Sequence, residues 1–221
     1  MIKNVSILFL VLAMSGCIKD KRSTYKAPYI NQYFPISEEF KTWVYEVNEI
    51  KYVSFSRTID TTIFQYCETF DTFFEDNINR NAARFSRFKR LNDSAKWEFE
   101  FNYYVVAIPE YLERIENNTR RIRLSFPAVE DALWDENERN NNPQNLLFYT
   151  LLFKAYSGNY YNSNNCVRIE NEGIKNNFEH KEFEQVYAKD IGLLYFKQVD
   201  KRKVQGFFDG YDRTVHLIER Y

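Results

Sequence analysis

The stretch Trp97-Glu98-Phe99-Glu100-Phe101-Asn102-Tyr103 decides the fold class. Aromatic and polar residues alternate without a break. In an extended chain every ring then points one way and every polar group the other, whereas a helix would scatter both sets around its circumference. Trp43-Val44-Tyr45-Glu46-Val47 repeats the pattern, with Trp43, Tyr45 and Val47 on one face. Between Tyr111 and Phe126 the segments Leu112-Glu113-Arg114-Ile115 and Arg121-Ile122-Arg123-Leu124 flank Glu116-Asn117-Asn118-Thr119. Asparagine tolerates the left-handed backbone of tight turns, so this is a predicted hairpin. Further predicted strands cover Leu147–Ala155, Phe183–Tyr187 running on into Leu193–Lys197, and Val215–Glu219. Gly192 interrupts that continuous pattern as a bulge or a close backbone approach, and Asp209-Gly210 is read as the turn before the last strand. Helical patterns are weak and confined to Ala128–Glu138 and Asn77–Arg84. The expected fold is mainly β, a single antiparallel sheet domain, curved or barrel-like, with minor helix.

Composition agrees with one well-cored domain. The chain has 221 residues, 44% of them hydrophobic and 18% aromatic, with only 6 Gly and 5 Pro, which excludes low-complexity and collagen-like classes. Thirty Lys+Arg against 31 Asp+Glu leave a formal charge of −1, so no nucleic-acid partner held by bulk electrostatics is expected.

The amino terminus speaks to location. Lys3 precedes an apolar run from Val5 to Met14, too short for a membrane-spanning helix of roughly 20 residues but the length of a signal-peptide core. The following Met14-Ser15-Gly16-Cys17 resembles the lipobox of bacterial prolipoproteins, with Met14 standing where leucine is usual. That resemblance implies cleavage after Gly16, a diacylglyceryl group on the Cys17 thiol and an acyl chain, such as palmitate, on the new amino terminus. Three acyl chains exceed the two signals needed for stable anchoring. The expected organisation is a signal peptide at 1–16, a lipidated cysteine and tether at 17–32, and a β-rich domain at 33–221. Ile18 stands where aspartate would resemble an inner-membrane retention signal, so the resemblance points to the outer membrane, on its periplasmic or its surface face. Membrane lipid, reached through acylated Cys17, is the first expected partner.

Two interior patches carry a second resemblance. Glu116-Asn117-Asn118 through Arg121-Ile122-Arg123-Leu124-Ser125-Phe126-Pro127 to Trp134, and Val186-Tyr187-Ala188-Lys189-Asp190-Ile191-Gly192-Leu193-Leu194, resemble a group of β-rich Bacteroidota lipoproteins. Tyr33-Phe34-Pro35 with Trp43-Val44-Tyr45 is similar to their opening. Those proteins commonly have an aromatic-Asn pattern after the tryptophan, where this chain has Asp135-Glu136-Asn137-Glu138-Arg139. The resemblance implies a compartment and a β fold, and brings no activity.

Catalytic signatures are mostly excluded by enumeration. The six glycines cannot form a dinucleotide-binding turn, a phosphate loop or a nucleophile elbow, and the two histidines and three cysteines cannot form common zinc or dithiol motifs. No cofactor is expected. His180, Glu182 and Glu184 would share one face of a strand, as part of a metal site or an acid/base pair or, more commonly, as a solvated strand edge. Glu130, Asp131, Asp135, Glu136 and Glu138 form an acidic loop with oxygen ligands for calcium but without the glycine of a calcium loop. Arg80, Arg84, Arg87, Lys89 and Arg90 interleave with Phe85 and Phe88, which resembles a nucleic-acid or anionic-glycan surface but at this net charge reads better as a polar strand face over an aromatic core. Cys67 and Cys166 either form a disulfide or sit apart as small buried residues. The leading expectation is an outer-membrane-anchored lipoprotein acting as a non-enzymatic accessory or binding subunit of the envelope, with an envelope protein as its partner. The alternatives are a carrier of a small apolar ligand in a β pocket and a carboxylate-based glycan hydrolase.

Overall fold

The structure, a computed structural model, describes residues 30–36 and 41–221. The signal peptide, Cys17 and the tether up to residue 29 lie outside the described residues. One helical turn, α1 (Ile30–Tyr33), precedes a run of strands. These are β1 (Thr42–Val53), β2 (Thr58–Glu75), β3 (Asn81–Arg90), β4 (Glu98–Ala107), β5 (Tyr111–Glu116), β6 (Thr119–Ser125) and β7 (Leu133–Asp135). They continue with β8 (Leu146–Ser157), β9 (Asn162–Asn171), β10 (Ile174–Lys175), β11 (Glu179–Ala188), β12 (Gly192–Val204) and β13 (Phe207–Arg220). All belong to one antiparallel sheet in the order β6-β5-β4-β3-β2-β1-β13-β12-β11-β9-β8-β7, with β10 beside β11. The sheet curls until its ends almost meet, a nearly closed barrel. The mainly β, barrel-like expectation is met.

Local chemistry explains the joints. Asn117 and Asn118 both take positive φ (49° and 59°) and Glu116 pairs with Thr119, the two-residue hairpin expected of Asn-Asn. Gln205 and Gly206 make an equivalent turn between β12 and β13, with Val204 opposite Phe207. Asp209-Gly210 therefore is not a turn: both lie within β13. Gly210 is there because backbones crowd it, since a Cβ would stand 2.1 Å from the Asp200 carbonyl oxygen. Phe183–Tyr187 and Leu193–Lys197 do not form one strand. They belong to two antiparallel strands, β11 and β12, and Ile191 N–H donates to Ala188 O (3.2 Å) across the turn that reverses the chain. Asp190 and Gly192 both have positive φ there.

The two helical expectations fail for tertiary reasons. In Asn77–Arg84 the Asp76 carboxylate accepts from Ile78 N–H and Arg80 N–H, closing a side-chain turn that feeds directly into β3. In Ala128–Glu138, Trp134 pairs with Leu147 in the sheet and its indole N–H donates to Ile122 O (3.2 Å). Glu136 then uses its backbone twice, donating to Asn145 O and accepting from Ile122 N–H, both at 2.9 Å. That last bond joins β6 to the segment after β7 and draws the barrel's two edges together.

One end of the barrel is filled with rings. Phe85 stacks on Tyr103 at 5.1 Å and meets Trp43 at 6.1 Å, and Phe34 packs edge-on against Phe85 at 5.6 Å. Tyr33, Phe126, Leu124 and Leu193 extend this floor. The segment from α1 is pinned into it: Tyr33 O–H donates to Asn165 Oδ1 (2.6 Å), and Asp190 N–H donates to Gln32 O. The Trp43 indole N–H donates to Ile191 O at 2.9 Å, so the large aromatic in the floor keeps no unpaired polar atom.

Candidate functional site

Above the aromatic floor the barrel interior becomes charged. Strand alternation carries Tyr66 and Glu68 of β2, Arg87 of β3, Arg114 and Glu116 of β5, and Arg121 and Arg123 of β6 inward. Gln185 and Tyr187 of β11, Gln198 of β12 and Arg213 of β13 complete the wall of a cavity of about 600 Å³. The segment after β7 adds Glu136, Asn137, Asn142, Gln144 and Asn145. Tyr45, Leu193 and Val215 form its base, and Lys181, Asp200 and Tyr211 stand toward the other end.

Glu68 is the centre of the deepest layer, 4% exposed. It accepts from the Arg87 guanidinium at 2.5 and 3.2 Å and from Arg114 at 3.0 Å. Arg114 also donates to Glu116 (3.1 Å) and lies 3.7 Å from the centroid of the Tyr103 ring, while Arg87 covers Tyr66 at 4.2 Å. Burial pushes the Glu68 carboxyl up, but the Arg114 and Arg87 charges outweigh burial and hold it at about 2. Burial pushes Tyr187, in the same wall, up to about 12. The buried Tyr103 hydroxyl faces the Glu68 carboxylate, and burial together with that negative charge pushes the phenol well above its ordinary value.

A second charged group lines the barrel seam. Arg123 donates to Glu136 Oε1, the Arg121 Nε lies 4.0 Å from that same oxygen, and Asn145 Nδ2 donates to Oε2 at 2.6 Å. Arg213 is gripped by Glu49, with Nε donating at 2.6 Å. The interior is therefore a set of fixed guanidinium forks, amides and phenols over an apolar base.

Of the sequence-predicted candidates, Glu182, Glu136 and Arg87 border this cavity and the others lie elsewhere. His180, Glu182 and Glu184 do share a face of β11, with His180 Nε2 3.3 Å from Glu182 Oε2. Both carboxylates are engaged by cations, Glu182 by Lys197 (2.6 Å) and Glu184 by Arg168 (3.1 Å). No cluster of three or more His, Cys, Asp or Glu side chains placed to hold a metal ion occurs among the described residues. Cys67 and Cys166 are both buried and unbridged. Cys166 belongs to the interior cluster, whereas Cys67 alternates with inward-facing Tyr66 and Glu68 and so projects from the opposite face. Of the acidic loop, Glu136 turns inward and is buried, while Glu130, Asp131 and Glu138 are exposed. In the basic stretch, Arg84 pairs with Asp71 and Arg80 with Asp76 and Glu113, and Arg87 alone enters the cavity.

Sequence reasoning missed Glu68, Arg87, Arg114, Arg121, Arg123 and Glu136 as one constellation. A signal existed: Glu68 continues the face of Phe64 and Tyr66, and Arg87 continues that of Phe85. A charge in phase with core aromatics marks an interior polar group.

No protein-family profile and no curated protein matches the chain. Among solved structures it is similar to a protein from Bacteroides fragilis described as exported, with a YmcC-like fold, at 8% identity and a TM-score of 0.44. A protein from Parabacteroides distasonis described as a lipoprotein is similar at 8% identity and a TM-score of 0.41. Each comparison covers 82% of this chain and 95% of the other. At these scores the functional reading rests on this chain's own residues.

Proposed function

We propose that this chain is a lipid-anchored protein of the bacterial outer membrane whose barrel is a non-enzymatic binding subunit, taking a polar ligand into its charged cavity. The observation that carries the binding role is the cavity itself. Arginine, amide and phenol groups are preorganised on rigid strands around a space of about 600 Å³, within the roughly 300–1,000 Å³ of ligand sites. The lipobox resemblance at Cys17 supports the anchor. A non-enzymatic role is supported by the state of Glu68. Glu68, held at about 2 as counter-ion to two arginines, is ionised throughout the physiological range and is a poor proton donor. An apolar cargo would bury against the guanidinium groups of Arg87, Arg114 and Arg121 and leave their charge without solvent, which argues for a polar ligand.

The test uses the lipidated protein purified in mild detergent from its native envelope. Native mass spectrometry should find a polar adduct or a stoichiometric protein partner, and Cys17→Ser should release the folded protein from the membrane fraction. A Cys17→Ser protein that stays in the membrane overturns the anchor. A wild-type protein that carries neither adduct nor partner, and gains none on incubation with envelope extract, overturns the binding role.

A further inference from the structure

We infer that the cavity recognises an anionic group on its ligand, held by Arg121 and Arg123 at the barrel seam. The inference rests on the binding role proposed above and adds the charge of what is bound. Its first ground is the register: Arg114 and Arg121 are directly opposite each other on β5 and β6, and both line the cavity. Like charges in that relation destabilise a sheet unless something neutralises them. Arg114 is neutralised from within the fold by Glu68 and Glu116. Arg121 is not, because among the described residues its charge partner is Glu136 Oε1 at 4.0 Å, beyond hydrogen-bond distance.

The second ground is the state of that shared carboxylate. Oε1 already accepts from Arg123 and Oε2 from Asn145, so Glu136 offers Arg121 only distant charge. The Arg123 Nε is buried and has no hydrogen-bond partner among the described residues. Two guanidinium groups thus converge on one occupied carboxylate, and Arg121, with 31% of its side chain exposed, keeps unused donors open to the cavity. Carboxylate, sulfate and phosphate groups present two or three coplanar or tetrahedral oxygens that match such forks, whereas a neutral ligand would exclude water from Arg121 and return nothing. Glu136 competes for the same donors and so limits affinity.

Titration calorimetry on the lipidated protein in detergent, at fixed ionic strength, tests this with sulfate, phosphate and glucuronate as probes and glucose as the neutral control. At least one anion should bind saturably and glucose should not, and the preferred probe names the anionic group. Arg121→Gln should weaken that binding at least tenfold, with Arg121→Lys intermediate. Glu136→Gln should tighten it several-fold by removing the competing negative charge while an amide oxygen still accepts from Arg123. A merely structural role for the cluster would not give opposite signs. If no probe binds wild type or Glu136→Gln, or if binding ignores both positions, the inference is overturned. A neutral adduct in native mass spectrometry together with no anion binding would discard the charge assignment and leave the binding role standing.

Discussion

The floor and the layer above it are built by the same strands two residues apart, and their energetics are opposed. Phe85 lies in the floor and Arg87 in the charged layer, both on β3. In the floor, ring contacts and burial stabilise the fold directly, and few polar atoms need partners. In the layer, Glu68, Arg87 and Arg114 are each desolvated, and their mutual attraction must first offset that cost. Alternation along a strand determines which way a side chain points, and leaves open whether the enclosed side is core or site.

Breaking one member of the charged layer should show the largest effect. Glu68→Gln leaves Arg87 and Arg114 buried without their counter-ion, and chemical denaturation should report a loss of about 3–5 kcal/mol. The triple variant Glu68→Leu, Arg87→Met, Arg114→Leu removes the layer whole. Its stability should fall by less than about 1 kcal/mol or rise. If the triple variant unfolds, the layer is scaffold, and the contrast with the floor collapses. Phe85→Ala in the floor should cost about 3–5 kcal/mol through its cavity, with no rescue by apolar replacement elsewhere.

Acid provides the next test. The Glu68 carboxyl is depressed in the folded protein, so its stabilisation is fully present above the ordinary carboxylate value of 4.5 and is lost as pH falls toward about 2. The associated drop should be on the order of 3 kcal/mol and absent from Glu68→Gln, as followed by denaturant midpoints across that window. Trp43→Phe removes the bond to Ile191 O and also shrinks a buried ring, leaving a small cavity, a loss of about 2 kcal/mol. Phe55→Ala, at a hairpin tip where the ring is 99% exposed, should leave the denaturation midpoint within about 0.5 kcal/mol of wild type.

Much of the barrel was legible in the sequence because local rules happened to agree with tertiary ones. Alternation placed β1 and β4, and Asn117-Asn118 placed the β5–β6 turn to the residue. Legibility failed where distant backbone decided. Gly210 looks like a turn glycine, yet what demands it is the Asp200 carbonyl on a neighbouring strand. The reversal at Asp190 was hidden because apolar residues lie on both sides of it, and a hydrophobic pattern does not record chain direction. The cavity was least legible, since its residues come from β2, β3, β5, β6 and the segment after β7. Glu136 in particular reads as one more acid in a polar loop, and only closure of the seam turns it inward.

The pairing of β1 with β13 carries a kinetic consequence. Glu49 and Arg213, held together across it, stand 164 residues apart in sequence. The β1–β2 and β12–β13 hairpins can form from local contacts within microseconds, but joining them requires closing a loop through nearly the whole domain. Until that closure both hairpins present open strand edges, the template on which chains misassemble. Refolding should therefore be slow for a domain of this size and sensitive to protein concentration, and a chain held unfolded until its strands can meet would escape that hazard.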